Sequence, residues 1–177
     1  MIRHEPPSGA ASQALFAEYL ELVRARLGEA FVPTEQIFAT EEDFHGAGAA
    51  WLVLYEGDVA VGCGGLRPLA PGVAEIKRMF VTASARGRGH AHALLAELER
   101  LAAEAGCERV RLYTTEVLRE ARALYSACGY RVVGAARIDG RLDLWLAKRL
   151  SDQARSPSST MSTSALTKRP PSDSPAR

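Results

Sequence analysis

Residues 86–91 read Arg-Gly-Arg-Gly-His-Ala, and an apolar stripe at helical spacing starts directly after them. A β-rich run, Val73–Val81, ends shortly before. Strand, glycine loop, helix is the arrangement that most constrains this chain, because it asks for a sheet with helices packed against it. The loop is also shaped for an anion. Glycine lets the backbone turn tightly and approach a ligand with no Cβ in the way. A helix starting there leaves unpaired N–H groups and a positive dipole end facing the loop. Arg86 and Arg88 put charge on the same turn, although either also reads as a plain surface residue. A pyrophosphate is the natural guest.

The spelling of the loop sorts the candidate pyrophosphates. A P-loop needs Gly-Lys-Ser/Thr after its spacer, and no lysine or hydroxyl residue follows Gly89. A dinucleotide fingerprint needs three glycines over six residues, and only Gly87 and Gly89 are present. The pattern that fits is Arg/Gln-x-x-Gly-x-Gly/Ala, met by Arg86, Gly89 and Ala91.

The 177 residues are 47% apolar with a formal charge of +1, which suits one globular core and argues against a general polyanion binder. The expected partners therefore include neither nucleic acid nor membrane, and no signal peptide or spanning segment is read at the N-terminus. Cys63, Cys107 and Cys128 form no metal or redox pattern, so a reducing cytoplasm is the expected location. After Leu150 the composition changes. Residues 151–177 hold eight serines and four prolines and few large apolar side chains, which predicts a disordered tail behind a domain of residues 1–150.

Within the domain, Leu15, Phe16, Tyr19, Leu20, Val23 and Leu27 predict a helix over about 11–28, stopped by Gly28. Trp51–Tyr55 and Val59–Leu66 read as a hairpin, and Pro68, Pro71 and Gly72 as a loop before the strand Val73–Val81. Leu94, Leu95, Leu98, Leu101, Ala102 and Ala105 give the helix after the glycine loop, ending near Gly106. A strand over Arg109–Thr114, a short helix closed by Gly129 and a hairpin turning at Asp139-Gly140 complete the order. This is a mixed α/β sheet flanked by helices.

Val73–Val81 is odd for an inner strand because it carries Glu75, Lys77 and Arg78. Alternation places Glu75 and Lys77 on the face of Met79, opposite Ile76 and Phe80. Such groups must line a cleft or pair with one another, or one sheet face is simply wet.

Ala74-Glu75-Ile76-Lys77-Arg78-Met79-Phe80-Val81, then Arg86–Ala91, then Ala121-x-x-Leu124-Tyr125-x-x-x-Gly129-Tyr130, resemble successive motifs of the GNAT acetyltransferase superfamily in order and spacing. The resemblance implies a fold whose two central parallel strands splay apart and admit a pantetheine arm like an extra strand. It implies acetyl-CoA as co-substrate, an amine-bearing acceptor and no metal. Backbone groups of Met79, Phe80 and Val81 would pair with pantetheine, and the amides of Arg86, Gly87, Arg88, Gly89, His90 and Ala91 would hold the pyrophosphate. Tyr125 matches the tyrosine that protonates the leaving thiolate, and Glu75 the glutamate that serves some members as base. A backbone N–H near Met79 or Phe80 would stabilise the oxyanion. Leu118 stands where many relatives carry an asparagine that bonds the cofactor arm.

Read from the residues themselves, Tyr125 also suits packing, Glu75 a paired structural carboxylate, and His90 and His92 plain surface or packing positions. The expected activity is acetyl transfer to a primary amine of a small molecule, peptide or protein. The alternative is an acyl-CoA-binding sensor without turnover. Glu29–Gly48, with Phe31, Phe38, Phe44 and His45, is the expected shaper of the acceptor pocket. Nothing in the sequence speaks against a homodimer.

Overall fold

A computed structural model describes residues 1–28, 41–138 and 140–150. The tail, Phe31, Phe38 and Asp139 of the second hairpin turn lie outside the described residues. Seven strands form one sheet in the order β1-β2-β3-β4-β5-β7-β6. They are β1 (Ile2–His4), β2 (Ala50–Glu56), β3 (Val59–Ala70), β4 (Val73–Val81), β5 (Arg109–Thr115), β6 (Arg131–Ile138) and β7 (Arg141–Arg149). The helices are α1 (Ala10–Leu27), α2 (His90–Glu104) and α3 (Arg119–Ala127). Every neighbouring pair is antiparallel except β4 and β5.

Each helix lies where its apolar stripe sends it. Leu94, Leu95 and Leu98 of α2 are fully buried in one core with Leu52, Leu66, Ile76 and Leu112 of the sheet. Burying each such leucine is worth roughly 2–3 kcal/mol, whereas the exposed ion pairs of Arg100 with Glu97 and Glu104 on the outer face of α2 each add well under about 1 kcal/mol. The core, not the charged face, anchors this helix. On the other side of the sheet, Leu15 of α1 packs with Trp51, Val53, Cys63 and Phe80. Gly28 ends α1 with φ +88° and donates its N–H to the Arg24 carbonyl.

One expectation about the strands is corrected, and one strand is added. β3 continues through Pro68, which lies opposite Ala74, and a register shift follows it between Pro68 and Ala70; the loop shrinks to a turn at Pro71-Gly72. The short edge strand β1 has no periodic signal of its own. It is held by pairing Ile2 with Leu54 and His4 with Leu52.

The parallel pairing of β4 with β5 runs only from Val73–Arg109 to Ile76–Leu112. Beyond Ile76, among the described residues, β4 has no strand partner on that side, and β5 goes on beside β7. β4 also carries a bulge here. Lys77 faces Gly65 and Phe80 faces Cys63, so β4 spends three steps where β3 spends two. The extra residue is at Arg78, a non-glycine with φ +54°. The bulge resets the alternation. Ala74, Ile76, Met79 and Val81 face α2, while Phe80 joins the α1 side. Glu75 and Lys77 therefore share the face of Phe80, not that of Met79, reversing the expectation from simple alternation.

Candidate functional site

The gap that β5 leaves beside β4 is the floor of a cavity of about 660 Å³. Three elements form its walls. α1 supplies Tyr19, Leu22 and Arg26 from one sheet face, and α3 supplies Ala121, Leu124 and Tyr125 from the other. Met79, Phe80 and Val81 of β4 run along the floor, and the glycine loop closes one end with Arg86, Gly87, Gly89, His90 and Ala91. Of the residues expected to meet a cofactor, all but Arg88 border this one groove.

The loop end is built from backbone. Gly87 and Gly89 have φ +76° and +81°, which L side chains adopt only under strain, and a Cβ at either would meet open space. Gly89 is the N-cap of α2, and no side chain caps the first-turn amides, nor is that turn acidic. These donors thus face the groove end. His90 and His92 both border it, although residues two apart on a helix normally diverge. The groove meets α2 end-on, so its first turn contributes all round the axis. Arg86 donates Nε–H to the Val81 carbonyl at 3.1 Å. Arg88 turns away, to Glu56 at 2.8 Å and the Ser84 carbonyl at 3.1 Å. Glu56 also meets His90 Nε2 at 2.5 Å, so these bonds tie the loop to the β2–β3 turn and hold the Glu56 carboxyl below its usual range.

The far end is aromatic. Tyr125 is 6% exposed, and burial, then the neighbouring Tyr19, pushes its phenol well above the usual value. Its ring packs 5.8 Å from that of Tyr130. Tyr19 meets Phe80 edge-on at 6.0 Å, and burial pushes its phenol up to about 12. Above the groove, Arg26 reaches from α1 to Glu120 of α3 at 2.9 Å, which holds the Glu120 carboxyl down to about 2. Leu118, in place of an amide side chain, borders the groove as an apolar contact.

Glu75 is not among the residues lining the groove. It is buried on the α1 side of β4, where Oε2 accepts from Arg67 at 2.8 Å and Oε1 from Arg111 at 3.4 Å. Of the readings open for the charges of β4, these contacts support pairing. Phe44 is likewise buried, in the core cluster of Leu15 and Trp51. It packs edge-on to Trp51 at 4.9 Å, and its ring lies so close over Gly65 that a Cβ there would come within 2.2 Å of it. His45 is exposed. Among the described residues no His, Cys, Asp or Glu cluster could hold a metal ion. Nor is any of their helices long and apolar enough to cross a membrane.

Glu75→Gln is expected to lower stability by about 2 kcal/mol. Breaking a buried ion pair costs ~3–5 kcal/mol, less here because Arg67 and Arg111 are partly solvated. Urea unfolding reads this directly. A variant as stable as wild type, whose rate defect shrinks as pH rises, would instead make Glu75 the base.

The profile of the Acetyltransferase (GNAT) family matches residues 14–130, which contain the groove entire. The chain belongs to this family. An uncharacterised N-acetyltransferase of Escherichia coli strain K12, YjgM, is 38% identical to this GNAT chain over 91 residues, 50% of this chain and 54% of that protein. The chain spans about half the length of the curated relatives it matches. Among solved structures, a GCN5-related N-acetyltransferase from Kribbella flavida aligns with TM-score 0.67 and 22% identity, covering 85% of this chain and 97% of that one. An aminoglycoside 6′-N-acetyltransferase solved with coenzyme A aligns with TM-score 0.64 and 17% identity, over 84% and 96%. At these identities the two structures establish the shared fold.

Sequence reasoning missed the contribution of α1. Tyr19, Leu22 and Arg26 recur at i, i+3 and i+7, so they share one stripe, but the stripe alone reads as core packing. Only the place where β5 parts from β4 turns that stripe into a groove wall.

Proposed function

We propose that this GNAT protein is an acetyl-CoA-dependent N-acetyltransferase acting on a primary amine of a small molecule, peptide or protein. The observation that carries this reading is one groove that has helix amides without a side-chain cap and positive-φ glycines at one end, a β4 edge without a strand partner among the described residues along its floor, and a buried phenol at the other end. Acetyl-CoA suits each part. The amides from Gly87 to Ala91 would hold the pyrophosphate, with Arg86 adding charge. The edge of β4 over 79–81, which among the described residues has no strand partner and is met only at the Val81 carbonyl by Arg86, would pair with an extended arm, and the small side chains of Ala121 and Ala91 leave it width. The co-substrate supplies an activated thioester.

The chain's own work is then positioning and proton transfer. Backbone N–H groups next to the bulge at Arg78 are the donors for a developing oxyanion. Tyr125 Oη keeps its proton throughout the working pH range, because burial opposes its ionisation, and so is a ready acid for a departing sulfur. With Glu75 held by two guanidinium groups, the amine proton is best lost to water.

The reading is tested by incubating the protein with acetyl-labelled acetyl-CoA and a panel of amines, alongside melting curves. Acetyl-CoA should raise the melting temperature, as binding to the native state alone must, while ATP and NAD should not. Label should pass to an amine. Stabilisation without transfer to any amine would leave an acyl-CoA-binding module, and no stabilisation would remove the coenzyme A assignment.

A further inference from the structure

The groove has a direction. Arg26, Glu120 and the glycine loop mark its mouth, and moving back along β4 from Val81 to Phe80 leads to Tyr19 and Tyr125 at its inner end. Tyr125 has a role in the reaction proposed above, but Tyr19 does not. Tyr19 is also the bulkiest side chain that α1 puts into the groove, and it is backed on both sides. Its ring lies edge-on to Phe80 at 6.0 Å and stacks on Phe16 at 6.0 Å, with planes 26° apart. Phe16 in turn carries the Arg78 guanidinium 4.0 Å from its centre, at the bulge of β4. The Tyr19 ring therefore cannot swing towards α1 without disturbing a stack of three groups.

We infer that Tyr19 is the end wall of the acyl chamber and restricts the donor to short acyl groups. The inference rests on the acetyl-CoA reading and deepens it, by naming the class of acyl donor. An acyl chain extended from a thioester beside Met79 and Phe80 meets this ring, while an acetyl group stops short of it. The physical consequence has a definite scale. Each methylene that finds apolar room contributes about 0.8 kcal/mol, or roughly fourfold in affinity. A hexanoyl chain denied that room forgoes all of this gain and strains the stack as well.

The test uses calorimetric titration of the full chain with free CoA, acetyl-CoA, butyryl-CoA and hexanoyl-CoA. Wild type should bind hexanoyl-CoA at least tenfold more weakly than acetyl-CoA. In Tyr19→Ala the affinity ratio of hexanoyl-CoA to free CoA should rise at least tenfold. Tyr19→Phe, which keeps the ring and loses the hydroxyl, should keep the wild-type ranking. If Tyr19→Ala melts too low to titrate, Tyr19→Leu should shift the ratio in the same direction. Wild type that takes hexanoyl-CoA as readily as acetyl-CoA overturns the inference, as does a ratio unmoved in the shortened variants, with coenzyme A binding itself intact. Loss of free CoA binding in wild type is a different result. It removes the acetyl-CoA reading and this inference together.

Discussion

Tyr125→Phe is expected to slow acetyl transfer ~10²–10⁴-fold, or ~3–5 kcal/mol of transition-state stabilisation, and to leave acetyl-CoA affinity nearly unchanged. The substitution removes only the hydroxyl. The ring stays packed on Tyr130 in the main core, so the variant should fold and melt like wild type. Buried phenols resist ionisation, and the structure pushes Tyr125 further that way than its unperturbed value near ~10. A raised value makes the phenol a weaker acid, but the same apolar surroundings raise the affinity of a departing thiolate for a proton. The two effects oppose each other, so burial does not disqualify the residue. The role has a signature beyond lost rate. With an acyl donor whose leaving thiol is more acidic, the departing sulfur needs no proton, and the defect should shrink. Thiol release measured with both donors decides this. Full activity of Tyr125→Phe with acetyl-CoA would make the tyrosine a packing residue, and an equal defect with both donors would assign it to positioning.

What the sequence revealed and what it hid divide along physical lines. The glycine loop was legible because its chemistry is local: positive φ requires glycine, and an uncapped helix start follows within two residues. The helices and most strands were legible because periodicity is local too. The bulge of β4 was not. It is carried by Arg78 at φ +54°, a residue with no sequence preference for that conformation, and it reversed the facing of every position beyond it. Glu75 was ambiguous because its partners, Arg67 and Arg111, lie on the two flanking strands and only the sheet register brings them together. The packing of Phe44 was hidden because it depends on Gly65 of β3, distant in sequence, which leaves the space that its ring fills. The acceptor side stays the least legible part. Much of the segment expected to shape it, including Phe31 and Phe38, lies outside the described residues.

Gly89→Val should weaken coenzyme A binding by on the order of 10–100-fold without unfolding the domain. At φ +81° an L residue costs roughly 1–2 kcal/mol, and a β-branched one more, so the loop will relax by turning its peptide planes. Those planes carry the amides that face the end of the groove. Misaiming one of them forfeits a charge-assisted bond worth about 1.5–3 kcal/mol, which sets the expected range. The fold should survive, because a strain of this size is small beside a typical domain stability of ~5–15 kcal/mol, and Leu94, Leu95 and Leu98 still anchor α2. Gly106 provides the control. It has the same φ of +81° and equally open space beside it, but lies just beyond the other end of α2. Gly106→Val should therefore lower the melting temperature about as much as Gly89→Val while leaving coenzyme A affinity intact. If coenzyme A stabilises both variants to the same extent, strain alone explains Gly89, and the loop is not the pyrophosphate site.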